Sequence, residues 1–146
     1  MATFLLLNGP NLNLLGTREP ELYGTTSLKE IEKELEQKAN NAGHELESFQ
    51  SNAEHELVDK IHEAKEKGVI CIIFNPGAFT HSSIALRDAL AGTKLPFLEV
   101  HISNIYSRED FRRKSFLSEI AIAVISGLGP EGYGMALHAA IEKFGK

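Results

Sequence analysis

The chain has a single cysteine, Cys71, so no intrachain disulfide can staple it and no cysteine pair can bind a metal. Cys71 lies inside the apolar run Val69-Ile70-Cys71-Ile72-Ile73-Phe74 and reads as a buried core thiol. No apolar stretch is long enough to cross a bilayer. Met1-Ala2-Thr3 leads straight into a strand without a basic leader or cleavage signal, so a cytoplasmic protein is expected. A positive surplus is missing too: 15 Lys and Arg against 20 Asp and Glu leave a net charge of −5. Neither nucleic acid nor a membrane surface is therefore an expected partner, and an anionic ligand would need locally placed arginines. The chain holds no GxxxxGK loop, no GxGxxG fingerprint, no internal repeat and no low-complexity tract. No lysine falls at the carboxyl end of an apolar strand, where an imine-forming amine would be desolvated and activated.

What is present is an ordinary globular balance, 42% hydrophobic and 24% charged, over 146 residues. That length suits one domain, residues 1–146, around one core. Short apolar runs alternate with amphipathic segments. Phe4-Leu5-Leu6-Leu7 is a strand covered on both faces. Ser27-Leu28-Lys29-Glu30 is a capping box, and Leu28, Ile31, Leu35, Ala39 and Ala42 form a helical stripe that stops at Gly43. A second strand follows at 46–49, then a second capping box, Ser51-Asn52-Ala53-Glu54, opening a helix that ends at Gly68. Strands are expected at 69–74, 96–101 and 121–125, with a short helix from Ser82 or Ser83 to about Leu90. Gly129-Pro130 opens the last helix, with Pro where an N–H lacks an intrahelical partner. The Arg-rich stretch 107–116 is open between helix and ordered loop. Five such units predict an α/β fold, a doubly wound, five-stranded parallel sheet, and among doubly wound arrangements the flavodoxin-like order 2-1-3-4-5 is the one chosen.

In such sheets ligands sit beyond the carboxyl ends of the strands, near the point where strand order reverses. This rule sorts the polar residues. Asn8, Asn11, Asn13, Arg18 and Tyr23 follow strand one. Asn75-Pro76-Gly77-Ala78-Phe79-Thr80-His81 follows strand three, and Glu99, His101, Ser103, Asn104, Arg108 and Arg112 fall at or after strand four. Each has an ordinary explanation by itself: Asn beside Gly and Pro stabilises turns, a strand-end His satisfies a core hydrogen bond, and arginines line solvated faces. Gathered on one rim, they read as a site. His44, His55, His62 and His138 lie elsewhere and lack partners at metal-ligand spacing, so no metal site is expected.

Several segments together resemble the type II 3-dehydroquinate dehydratases. They are Leu7-Asn8-Gly9-Pro10-Asn11-Leu12-Asn13-Leu14-Leu15-Gly16, Arg18-Glu19-Pro20 with Tyr23-Gly24, and Asn75-Pro76-Gly77-Ala78-Phe79-Thr80-His81. Ala85-Leu86-Arg87-Asp88-Ala89, Glu99-Val100-His101-Ile102-Ser103-Asn104, Arg108-Glu109 and Phe111-Arg112 continue the match in order along almost the whole chain. His55 and Ala123 stand where the family more often carries Gly, both away from the rim.

The resemblance implies a shikimate-pathway lyase that removes water from 3-dehydroquinate by anti elimination through an enolate, giving 3-dehydroshikimate. It implies no cofactor, no metal and no imine, and a homo-oligomer, a dodecamer built of four trimers. Tyr23 would be the base, acting as tyrosinate with Arg18 and Arg108 favouring its charged form. Gly16 and Gly24 would bracket its loop as lid hinges. Asn11 would stabilise the enolate through a bound water, His101 would protonate the leaving hydroxyl, and Glu99 would orient the His101 ring. Asn75 and the N–H groups of Ile102 and Ser103 would take the substrate carboxylate. His81 and Arg112 would hold ring hydroxyls, with Asp88 reaching in from an adjacent subunit. The Glu99–His101 pairing has separate support, since residues i and i+2 share one face of a strand. The competing reading is a flavodoxin-like module binding a phosphorylated ligand or flavin at helix N-termini. A phospho-receiver is disfavoured because Asn75 stands where an acceptor Asp is expected.

Overall fold

The computed structural model describes residues 1–17, 21 and 25–145. Strands β1 (Thr3–Asn8), β2 (Glu45–Gln50), β3 (Cys71–Asn75), β4 (Phe97–His101) and β5 (Ala123–Ser126) form one sheet in the order β2-β1-β3-β4-β5. Every neighbouring pair is parallel. Among the described residues the longer helices are α1 (Leu28–Asn41), α2 (Glu54–Glu66), α3 (Ile84–Thr93) and α4 (Glu131–Phe144). This is the flavodoxin-like α/β fold expected from the sequence.

Alternation along the strands builds two cores. Phe4 and Leu6 of β1, with Cys71, Ile73, Leu98 and Val100, face Ile31, Leu35 and Ala39 of α1 and Tyr133, Ala136, Leu137 and Ala140 of α4. Leu5 and Leu7, with Ile72, Phe74 and Phe97, face Leu57 and Ile61 of α2 and Leu86, Ala89 and Leu90 of α3. The continuous apolar run in β1 thus records helices on both faces, as right-handed crossovers require. Truncating one of these wholly buried leucines, such as Leu6→Ala, removes about 2–5 kcal/mol of stability.

Local chemistry sets most helix ends. The Ser27 hydroxyl accepts from the Glu30 N–H at 3.2 Å, which starts α1 as the capping box predicts. At its far end Gly43 N–H meets Asn40 O and His44 N–H meets Ala39 O, closing the last turn. The second capping box does not form. Ser51 N–H still bonds Asn8 O on the sheet, so α2 begins later, with Ala53 at its N-cap and no side-chain cap. The Ser51 hydroxyl instead accepts from Ala53 N–H at 2.9 Å and donates to the Glu56 carboxylate.

Other boundaries shift by one to three residues. β3 starts at Cys71 because Val69 N–H is still engaged by Ala64 O at the end of α2. α3 runs to Thr93, past Leu90, and turns at Lys94, which adopts a left-handed conformation at φ 59°. Pro130 is the N-cap of α4. The stretch 107–116 is neither one helix nor a plain loop. Single turns at Ile105–Ser107 and Asp110–Arg112 lead into an extended strap tied down where Phe116 N–H meets Thr80 O.

Candidate active site

The strand order reverses between β1 and β3, and their carboxyl ends, Asn8 and Asn75, are register partners. The loops that follow interlock. Gly9 N–H donates to Asn75 O at 2.8 Å, and a Cβ on Gly9 would lie 2.2 Å from Pro76 O. No other residue fits that approach without parting the loops. Gly77, at φ 61°, donates its N–H to the Asn75 side-chain oxygen at 3.1 Å. The Asn75 amide nitrogen then donates to the Tyr133 hydroxyl at 2.8 Å, and that hydroxyl donates to Asn8 Oδ1 at 2.6 Å. All three side chains are buried, and burial raises the Tyr133 phenol well above its ordinary pKa, so it stays a neutral donor. Asn11 sits at φ 69°, a conformation Asn tolerates, and its N–H donates to Asn52 Oδ1 at 3.0 Å.

At the end of β4, His101 Nε2 lies 2.5 Å from Glu99 Oε2. An acceptor-only carboxylate at that nitrogen places the ring proton on Nε2 and leaves Nδ1 free to meet another partner. Glu99 is wholly buried, but it is not stranded. Its oxygens also accept from the Ser118 hydroxyl at 2.9 Å and the Ser115 hydroxyl at 3.1 and 3.2 Å. Three donors replace the water that a buried carboxylate would otherwise lose.

His81 Nδ1 lies 2.7 Å from Lys114 O. A carbonyl cannot donate, so Nδ1 carries the proton and Nε2 presents a lone pair. Burial lowers the His81 pKa, outweighing the carbonyl contact, which acts the other way; His101 and the Arg112 guanidinium push it down further. His81 is thus a neutral acceptor at pH 7. Arg112 donates from Nε to Glu109 at 2.9 Å, and Arg108 lies 3.8 Å from the same carboxylate.

These groups line one cavity of about 160 Å³, with Asn11, Asn75, His81, His101, Arg108 and Arg112 on its wall. A larger groove of about 660 Å³ lies between α1 and α4, lined by residues such as Ile31, Leu35 and Met135, and no strand-end residue reaches it. Chemistry rather than size marks the site. Two histidines in fixed tautomers and two arginines converge on one space, which suits proton transfer on a small anionic, hydroxylated ligand. Among the described residues no group of three His, Cys, Asp or Glu could hold a metal.

Residues 2–141 match the family model for class II dehydroquinase. The chain belongs to that family. It is 62% identical over 141 residues to the 3-dehydroquinate dehydratase of Thioalkalivibrio sulfidiphilus, covering 97% of this chain and 96% of the relative. It is 57% identical over 143 residues to 3-dehydroquinate dehydratase 1 of Pseudomonas aeruginosa, covering 98% and 97%. The crystal structure of type II dehydroquinase from Propionibacterium acnes superposes with a TM-score of 0.92 at 39% identity, over 97% of each chain.

In this class II dehydroquinase the cavity gathers eight of the residues singled out in the sequence: the six on its wall, with Ile102 and Ser103. Glu99 stands directly behind His101. Asp88 is exposed on α3 and does not line the cavity of its own chain. Arg18 and Tyr23 lie outside the described residues. Sequence reading missed Ser115, Ser118 and Tyr133 as partners of the site. The two serines carry no motif, and Tyr133 falls in the buried stripe of the last helix, where periodicity accounts for its ring and says nothing of its hydroxyl.

Proposed function

We propose that this protein is a type II 3-dehydroquinate dehydratase acting in the shikimate pathway, a hydro-lyase that needs no metal, cofactor or imine. The observation that carries the reading is the His101–Glu99 pair opening onto a cavity with Asn75, His81 and two arginines, in a chain of this family. The reaction removes a proton beside a ketone to give an enolate. It then expels the neighbouring hydroxyl, which leaves as water once protonated. Tyr23 takes the first proton as tyrosinate, its charge favoured by Arg18 and Arg108. Asn11 stabilises the enolate through a bound water. His101 gives the second proton to the leaving oxygen from Nδ1, for which the ring enters the step as imidazolium; the buried Glu99 carboxylate at Nε2 holds its orientation and stabilises that cation.

Asn75 and the N–H groups of Ile102 and Ser103 receive the substrate carboxylate, with the cavity arginines supplying the positive charge that the acidic chain otherwise lacks. His81 accepts from a ring hydroxyl through Nε2, as its lone pair allows, and Arg112 donates to another. Asp88 completes the site of a neighbouring subunit, which fits its exposure on α3 and its absence from the wall of its own cavity. The working form is a dodecamer of four trimers, each chain one catalytic domain, in the cytoplasm. Among the described residues no helix is long and apolar enough to cross a membrane.

The test is the ultraviolet absorbance of the conjugated enone as purified protein meets 3-dehydroquinate. Absence of that signal from folded, assembled protein sinks the assignment. Borohydride trapping of a lysine adduct would refute the imine-free mechanism, and Tyr23→Phe with near-parental turnover would remove Tyr23 as the base.

A further inference from the structure

The strap after the Asp110–Arg112 turn touches His81 directly and His101 through Glu99. Lys114 O accepts from His81 Nδ1, and the next residue, Ser115, donates its hydroxyl to both oxygens of Glu99. Ser118 adds a hydroxyl to Glu99 Oε1. Ser115 Oγ also accepts from Leu117 N–H at 3.0 Å and Ser118 N–H at 3.1 Å, so its own proton has one direction left, toward the carboxylate. The strap is anchored in turn. Phe116 N–H donates to Thr80 O at 2.9 Å, and Arg87 of α3 donates to Phe116 O at 2.7 Å. Glu99 therefore meets the imidazole at one oxygen and is gripped by Ser118 at the other, with Ser115 bridging both.

We propose that Ser115 and Ser118 are positioning residues for proton donation, a clamp that holds the buried Glu99 carboxylate in line with His101. The inference rests on the dehydratase reading above. A carboxylate with no exposure to water needs its remaining lone pairs met by donors. Without the serines Glu99 would be free to swing, which loosens the bond that turns Nε2 of His101 inward and Nδ1 toward the leaving group. The serines touch no substrate; they act through Glu99.

Ser118 is the cleaner probe, since its hydroxyl has no acceptor duty to the strap backbone. Ser118→Ala is expected to lower kcat about ten- to a hundred-fold, the usual effect of removing one hydrogen bond to a buried charge, with KM little changed. Ser118→Thr, which keeps the hydroxyl, should restore most of the loss. In a Glu99→Gln background the Ser118→Ala change should cost almost nothing further, because the group it acts through is already gone. A loss that multiplies with Glu99→Gln, or one seen in KM alone, means a structural role and overturns the proposal, as does parental kcat in Ser118→Ala. If the unmodified protein makes no enone, the dehydratase reading itself fails; if it does and Ser118→Ala is unaffected, only the clamp fails.

Discussion

Replacing Tyr133 with Phe takes away one oxygen atom, and the geometry says what that costs. The phenol is wholly buried, donates to Asn8 Oδ1 at 2.6 Å and accepts from Asn75 Nδ2 at 2.8 Å. Asn8 Nδ2 already lacks a partner, so the variant would bury an entire amide without a hydrogen bond among the described residues. Two bonds lost and two polar groups stranded amount to about 2–4 kcal/mol. For a chain of this size about 3 °C of melting temperature accompanies each kcal/mol, so the midpoint should fall by about 6–12 °C. Differential scanning calorimetry at pH 7 measures this, and KM should rise because Asn75 loses one of its two anchors. The wild-type phenol adds a pH signature. Unfolded tyrosine ionises near about 10, while burial keeps the folded phenol protonated beyond that. Above that pH the unfolded state binds fewer protons than the folded one, so Tyr133 makes stability fall as pH rises. Tyr133→Phe should flatten this alkaline decline. A midpoint within a degree or two of the parent, with unchanged KM, would refute the reasoning.

Three further outcomes follow from the same contacts. Glu99→Gln should lower kcat by about 10²–10⁴ with little change in KM, because the amide must turn a donor either on His101 Nε2 or on the serines; a folded variant with near-parental kcat in steady-state assays would remove Glu99 from the mechanism. Gly9→Ala forces a Cβ to within 2.2 Å of Pro76 O, so the loops must part, costing about 1–3 kcal/mol and weakening substrate binding; unchanged melting and KM would contradict the interlock. Burial pushes the Cys71 thiol up to about 12, so iodoacetamide at pH 8 should leave native protein unlabelled and modify it only after denaturation. Between about pH 9 and 12 the unfolded thiol loses its proton while the folded one keeps it, so Cys71 also lowers stability as pH rises through that range.

Strand and helix identity was legible because it depends on periodicity and on local caps. Ser27, Gly43 and Gly68 act within a few residues of where they stand, and the two-faced run at β1 could only be a covered strand. Crossover handedness implied a doubly wound parallel sheet, but it allows more than one strand order, and 2-1-3-4-5 was a choice among them. The pairing of Glu99 with His101 was readable, since two residues on one face of one strand need no tertiary knowledge to be neighbours. The second capping box misled because a long-range bond, Ser51 N–H to Asn8 O, outcompeted the local one. The stretch 107–116 stayed open because its conformation is set by anchors on Thr80 and Arg87, which no local pattern announces.

The sequence by itself determined that strand ends would gather Asn, His and Arg on one rim, because the periodicity of a parallel sheet leaves them nowhere else to go. Only the tertiary structure decided how those side chains are held. The serines behind Glu99 lie 16 and 19 residues away from it, the carbonyl on His81 lies 33 away, and the phenol on Asn75 lies 58 away. A hydrogen bond depends on separation in space, and at those distances along the chain only the packing of strap and helix against the sheet brings donor to acceptor.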